Sequence, residues 1–485
     1  MFATPQLLRL RSRSVSALTT ALVLAPLPVL LAMPAAHAAY ARLYEPRLTP
    51  IAGVPFTLKG IITSDVDRPI KLKIVGVGGR PKTIATSMAT RKGTFTFRKV
   101  VLDRSATLVA VAPRFRGNLN QAKPQVGTAP IPVIVTRQSG ELAAVPPIVQ
   151  QGTSPAEPSE TGHMVAGFTP ARLGRPVLLE QLMNNRWVVV ARSRQDRGGF
   201  ATFPVPPGRT YRAATPAASR APAVTTATAR SRTFSTVFSD TFAGSALDSG
   251  VWTDRPAEGA EAQGGRSCAR IDDSVRSLGG GTLQLGIGLD PERAGETCAY
   301  ETPRYGPGSS PYLLNSQIDT RDAYHFTHGW AAARIRWQQP DGMHGGFWFL
   351  PTNGKIPGRP DLGTEVDVVE HFGNDSLKGG VGAFVHHLDE TGVNVPLAAD
   401  HLPTARLKAQ GDQWWSSYHV FSVEWTPQEY VFRVDGREFW REDRAVSQAG
   451  EYLVLSMLTS DYELRDLAPS EMSATASVDW VRVWR

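Results

Sequence analysis

Only two of the 485 residues are cysteines, Cys268 and Cys298, and beyond residue 38 no apolar run approaches the roughly 20 residues that cross a bilayer. In an exported protein a lone cysteine pair points to a disulfide rather than to a metal or catalytic site. Closing a loop of about 30 residues would stabilise the fold by roughly 3 to 4 kcal/mol on the chain-entropy account. With no later spanning segment, the mature protein is expected to be soluble, with no membrane partner and no nucleic-acid partner.

What apolar run there is lies at the start. Arg9, Arg11 and Arg13 precede the stretch from Ala17 to Met33, and Ala36-His37-Ala38 supplies a small-residue cleavage site. Residues 1–38 therefore read as a secretory signal peptide. Pro26, Pro28 and Pro34 interrupt the run, which disfavours a membrane anchor, so the expected location is outside the cell, free or associated with the wall. The length suggests two to four domains. Its 44 glycines, 37 prolines and 11 tryptophans favour short strands joined by turns, and the fold class is expected to be all-β.

Charge divides the chain in two. Residues 40–232 carry 28 Lys+Arg against 9 Asp+Glu, a balance of +19, whereas residues 233–485 carry 21 against 35, a balance of −14. A basic front half suits an anionic cell-wall polymer, or is simply a solvated basic surface. The acidic back half implies a substrate with no need of positive charge.

Two segments of the front half read as diverged copies of one unit: RPIKLKIVGVGGRPKTIATSMATRKGTFTF (68–97) and RPVLLEQLMNNRWVVVARSRQDRGGFATF (175–203). Each has an Arg-Pro, an alternating strand, a turn, a second strand and a Gly-led strand with alternating aromatics, the pattern of antiparallel hairpins with one buried face. Two small β-sandwich modules are expected, at 40–136 and 160–214, resembling immunoglobulin-like accessory domains. The Pro-, Ala-, Ser- and Thr-rich stretches 137–160 and 215–233 read as linkers. Trp187 is a strand tryptophan, core or sugar platform. Residues 234–485 suffice for one large sandwich.

The segment DLGTEVDVVEHFG (361–373) concentrates the chemistry. On a regular strand Glu365 and Asp367 share a face while Glu370 faces the other way. A bulge at Val368-Val369 would turn Glu370 back to its fellow acids and spare the core an unpaired carboxylate. A strand this dense in carboxylates repels itself. Retaining glycoside hydrolysis gives it a use, needing a nucleophilic carboxylate and a protonated carboxyl about 5 to 5.5 Å apart, with Asp367 helping to share a proton. An acidic edge strand or a calcium site is the alternative.

The string resembles the bulged, laminarinase-like active-site strand of glycoside hydrolase family 16, whose motif runs Glu-x-Asp-x-x-Glu. FSDTFAGSALDSGVW (238–252), HGWAAARIRWQQPDGMHGGFWFLP (328–351), YHVFSVEWTPQEYVFRVDG (418–436) and SVDWVRVWR (477–485) resemble further landmarks in the right order. The resemblance implies a concave antiparallel β-sandwich of jelly-roll type. It also implies that Glu365 is the nucleophile, Asp367 its helper and Glu370 the general acid/base, with Trp348 as a sugar platform.

Where laminarinases commonly have Trp-Pro, this chain has His344-Gly345, so a stacking surface is lost or replaced by an imidazole. His386 or His387 falls where the family places a cleft histidine. Trp414 and Trp415 are candidates for a subsite or for loop packing. Some members hold a structural calcium on the convex side, here through Asp479; no other cofactor is expected.

The function these readings imply is a secreted, monomeric, endo-acting retaining enzyme that cleaves a β-1,3 or mixed-linkage β-glucan. A galactan hydrolase of agar, porphyran or carrageenan type, and a non-catalytic glucan-binding wall protein, are the alternatives. Sulfated substrates usually call for cleft arginines.

Overall fold

The computed structural model describes residues 40–255, 265–373, 380–398 and 404–485, apart from 48, 76–80, 117–121, 218–220 and 304. Segment 1–38, read above as a signal peptide, lies outside the described residues. No described helix is long and apolar enough to cross a membrane.

The two repeated sequence units fold alike. In the first module the strands Ala41–Leu43, Phe56–Ile62 and Thr94–Val100 form one sheet, facing a second in the order Ile131–Val133, Ala106–Ala112, Arg68–Val75, Lys82–Ala89. In the second, Ser139–Val145, His163–Thr169 and Phe200–Pro204 face Val224–Thr225, Thr210–Thr215, Pro176–Met183 and Arg186–Arg194, which is the same order strand for strand.

The shared motifs have shared causes. Arg68 and Arg175 are both buried, and each guanidinium donates to two proline carbonyls: Pro113 and Pro124 in one module, Pro216 and Pro222 in the other. A buried cation is tolerable there because carbonyl oxygens replace its water. Gly93 and Gly199 lead the aromatic strands with φ of +77° and +89°. A side chain would set its Cβ 1.8 Å from the Ile62 carbonyl oxygen or 2.3 Å from that of Phe168, so only glycine fits.

Residues 234–485 form the concave antiparallel β-sandwich. The inner sheet runs Thr253–Asp254, Leu313–Asp319, Glu451–Leu458, His344–Pro351, Glu365–His371, Val381–Leu388, Asn394–Ala398. The outer sheet runs Arg276–Gly279, Thr282–Leu285, Ala476–Trp484, Gly329–Arg336, His419–Trp425, Tyr430–Val434, Arg437–Glu442. One parallel pairing, Ala269–Ile271 beside Leu313–Asp319, interrupts the antiparallel pattern. Phe347, Phe349, Val366 and Val368 of the inner sheet pack against Phe421, Val423, Phe432 and Val481 of the outer, all essentially buried. Cys268 and Cys298 are bonded to each other and pack with Leu313 and Leu464.

The two stretches read as linkers are built into the fold instead. Ser139–Val145 pairs along its whole length with His163–Thr169, and 224–225 and 229–230 pair with Thr210–Thr215. Residues 145–154 then run onto the outer face of the large sandwich, where Val145, Ile148 and Val165 share a buried cluster with Trp330, Ala332, Val420, Trp480 and Trp484. Small, Pro-rich residues suit this close backbone approach as well as they suit a flexible tether, which is why composition misleads here.

Candidate active site

The acid strand Glu365–His371 lies between His344–Pro351 and Val381–Leu388. Its register shows the bulge. Asp367 pairs with Phe384 and Glu370 with Gly382, three residues against two; on the other side Asp367 faces Trp348 and Val369 faces Phe347, with Val368 skipped. The extra residue restores Glu370 to the face of Glu365 and Asp367, and all three line one cleft of about 520 Å³. Both bulge valines, Val368 and Val369, enter the core.

Each acid has its own partner. Lys355 donates to Glu365 Oε2 at 2.6 Å. His386 Nε2 lies 3.3 Å from Asp367 Oδ2, and its Nδ1 is bonded to Asn394. His344 Nε2 lies 2.7 Å from Glu370 Oε1. Burial, reinforced by the neighbouring Glu370 and Glu365 carboxylates, pushes the Asp367 carboxyl up to about 7. Asp367 therefore holds a proton for the trio near neutrality. Burial alone would raise Glu370 too, but its bond to His344 more than offsets this and holds it below the usual glutamate range. His344 is raised in turn, because Glu370 outweighs the burial that would lower it. At rest this is an imidazolium–carboxylate pair.

Trp348 lies on the concave side, in a small cluster with Leu350, Tyr452 and Val454. Its indole nitrogen donates to Ser456 Oγ at 3.1 Å, and Arg255 sits 5.6 Å from its ring centroid. His344 does line the cleft, but its ring is buried and stacked on Phe372 at 4.6 Å, so it partners the acid and is no replacement for a stacking surface. His386 faces Asp367, whereas His387 bonds the Leu388 carbonyl.

Trp414 and Trp415 do not line the cleft. Trp414 is 1% exposed, in the core between the sheets against His419 and Phe421, and Trp415 packs on the same core. The loop before His419–Trp425 turns inward there because the Trp414 carbonyl accepts from the Trp337 amide. Asp479 lies on the outer face as expected, and its Oδ2 accepts from the Arg334 guanidinium and the Ala156 amide in a buried ion pair. Among the described residues only Glu365, Asp367 and His386 cluster three ligand-type atoms, within 4.8 Å; here they engage one another and Lys355.

Lys355, Arg255, Arg266, Arg321, Tyr452 and Ser456 line the cleft without having been signalled by any motif. Lys355 comes from the loop just before the acid strand, whereas the others come from loops and strands far from it in sequence and are brought in by the closed sheet.

Residues 296–463 match the sequence profile "Glycosyl hydrolases family 16". This segment is a family 16 glycosyl hydrolase domain. The chain is 24% identical over 269 residues to glucan endo-1,3-beta-glucosidase A1 of Niallia circulans, covering 51% of this chain and 37% of the relative. It is 28% identical over 145 residues to a beta-glucanase of Rhodothermus marinus, covering 28% and 46%. The chain thus spans less than half the length of both curated relatives. Among solved structures, the laminarinase from Rhodothermus marinus is 22% identical, covering 52% of this chain and 97% of that one, with a TM-score of 0.39. The endo-beta-1,3-glucanase from Pyrococcus furiosus is 19% identical, covering 52% and 94%, also with a TM-score of 0.39. The family 16 domain therefore contains the bulged acid strand described above.

Proposed function

We propose that this protein is an exported, endo-acting, retaining β-glucanase that cuts β-1,3 or mixed-linkage β-glucan. The observation that carries the reading is the bulge that gathers Glu365, Asp367 and Glu370 into one cleft. Glu365 attacks the anomeric carbon, Glu370 protonates the leaving oxygen and later deprotonates water, and Asp367 keeps a proton beside the nucleophile. The names of the two curated relatives support the choice of glucan. Incubating the purified protein with β-1,3-glucan, mixed-linkage glucan, agar and carrageenan, and measuring released reducing ends, tests it; activity on the galactans alone would overturn the glucan assignment.

One observation favours a second substrate class. Regional charge argued against acidic glycans, yet Arg255, Arg266 and Arg321 line this cleft within an otherwise acidic half. A glycan carrying carboxylate or sulfate groups belongs in the same panel. The basic front modules fit attachment to an anionic wall polymer, read as binding to insoluble wall material that salt reverses.

A further inference from the structure

His344 departs from the family resemblance at a position that touches the reacting machinery. Its ring is fixed on two sides, by the 2.7 Å bond to Glu370 Oε1 and by stacking on Phe372. It is 7% exposed, and its Nδ1 is buried without a hydrogen-bond partner. As an imidazolium the ring donates through Nε2 to Glu370 and keeps its second proton on the enclosed Nδ1. A ring so held cannot swing out to a sugar.

Charged and titratable neighbours bracket the pair. Glu463 and Arg266 act on His344, Arg266 and His386 act on Glu370, and Glu370 in turn acts on Glu463 and Asp367. Tyr462 sits beside Glu463 and Glu370, and His371, below, feels Lys408 and His344. Burial holds His371 down to about 3, so it stays neutral and does not compete for the proton.

We propose that His344 is a positioning residue for general-acid catalysis, orienting Glu370 and storing the proton that glycosidic cleavage consumes. This rests on Glu370 being the acid/base. In the first step the Nε2–H bond breaks and the proton passes to the Glu370 carboxylate. From there it goes to the glycosidic oxygen as the C–O bond breaks and Glu365 bonds the anomeric carbon. The products are neutral His344 with its remaining proton on Nδ1, ionised Glu370, the released sugar bearing the new hydroxyl, and a glycosyl ester on Glu365. In the second step water attacks that ester, Glu365 leaves as carboxylate, and the water's proton returns through Glu370 to Nε2.

The alkaline limb of kcat/KM then reports loss of the imidazolium proton, above the ordinary histidine value. In His344→Gln the amide can still donate to Glu370 but stores no titratable proton, so Glu370 must hold its own. The limb moves to lower pH, and activity on polymer at pH above both limbs falls about tenfold for each unit of movement. An aryl β-glucoside of a glucan oligomer, with a leaving group that needs no protonation, should change less than about twofold, because general-acid help of about 10²–10⁴ is not drawn on. His344→Asn, too short to reach Glu370, should show the same shift with a lower kcat. An unmoved pH limb in both variants, or equal loss on polymer and aryl substrate, would overturn the proposal. Glu370→Gln assayed on the same two substrates separates the cases. If it spares the polymer, the acid assignment itself fails; if it selectively loses the polymer while both His344 variants do not, only the role of His344 fails.

Discussion

Lys355 donates to Glu365 Oε2 at 2.6 Å and to Asn394 Oδ1 at 3.3 Å, so a loop lysine ties the acid strand to a strand two places away in the inner sheet. Glu365→Gln removes the nucleophilic charge and keeps the shape. Both partners of the pair retain about a fifth of their exposure, where an ion pair contributes ~1 kcal/mol or less. Turnover should therefore fall by about 10⁴-fold or more, while thermal unfolding shifts by only a few degrees. Activity in the variant comparable to the parent would remove Glu365 from the mechanism.

Glu451 gives the stability a pH dependence. It is fully buried close to Ser447 and Thr364, and burial pushes its carboxyl up to about 8. A carboxyl raised on folding binds more protons in the native state, so its contribution is intact below the ordinary glutamate range and is lost as pH climbs to about 8. Asp367, raised to about 7, acts in the same direction. Glu451→Gln should flatten the fall and gain ~1 kcal/mol at pH 8.5, or about 2–4 °C in Tm. A Tm against pH curve parallel to that of the parent would show that Glu451 is not the titrating group.

The outer face of the large sandwich predicts what truncation does. Trp330, Trp480 and Trp484 are buried there by Val145, Ile148 and Val165, and Arg334 donates to the carbonyls of Gln150 and Ser154. A fragment 234–485 would expose this apolar patch and leave Arg334 only Asp479. Losing roughly 3 kcal/mol of apolar burial lowers Tm by about 6–12 °C, with aggregation at concentrations the full chain tolerates. A fragment 137–485 should keep the parental Tm. Equal melting of both fragments would mean the junction adds no stability.

How legible this was in the sequence depended on whether the signal was local. The acid string, its bulge and the duplicated Arg-Pro and Gly-aromatic motifs lie within a few residues of one another, and pleat geometry turns such spacing into a face. Lys355 and the cleft arginines carry no motif, since their approach is set by strand order. Trp414 stayed open between subsite and packing because an aromatic beside a cleft loop and one folded into the core look alike in sequence. Asp479 was read through its family role, and the chain's own Arg334 could be matched to it only across two outer strands. The linkers failed for a different reason: composition reports how stiff a segment is, not what it packs against.

The stereochemical outcome tests the bulge and the mechanism together. With one extra residue between Asp367 and Glu370, Glu370 returns to the cleft beside Glu365. Retaining chemistry places the carboxyls about 5 to 5.5 Å apart, too close to admit water between nucleophile and acid, whereas inverting chemistry needs roughly 6.5 to 9.5 Å. Direct attack by Glu365 inverts the anomeric carbon once, and hydrolysis of the glycosyl ester inverts it again. The first product of a β-glucan should then be the β-anomer, visible by proton NMR of a fresh digest before mutarotation mixes the forms. An initial α-anomer would mean that a water, not Glu365, attacks the sugar. The roles given to Glu365 and Glu370 would then fall even if the substrate proved to be a β-glucan.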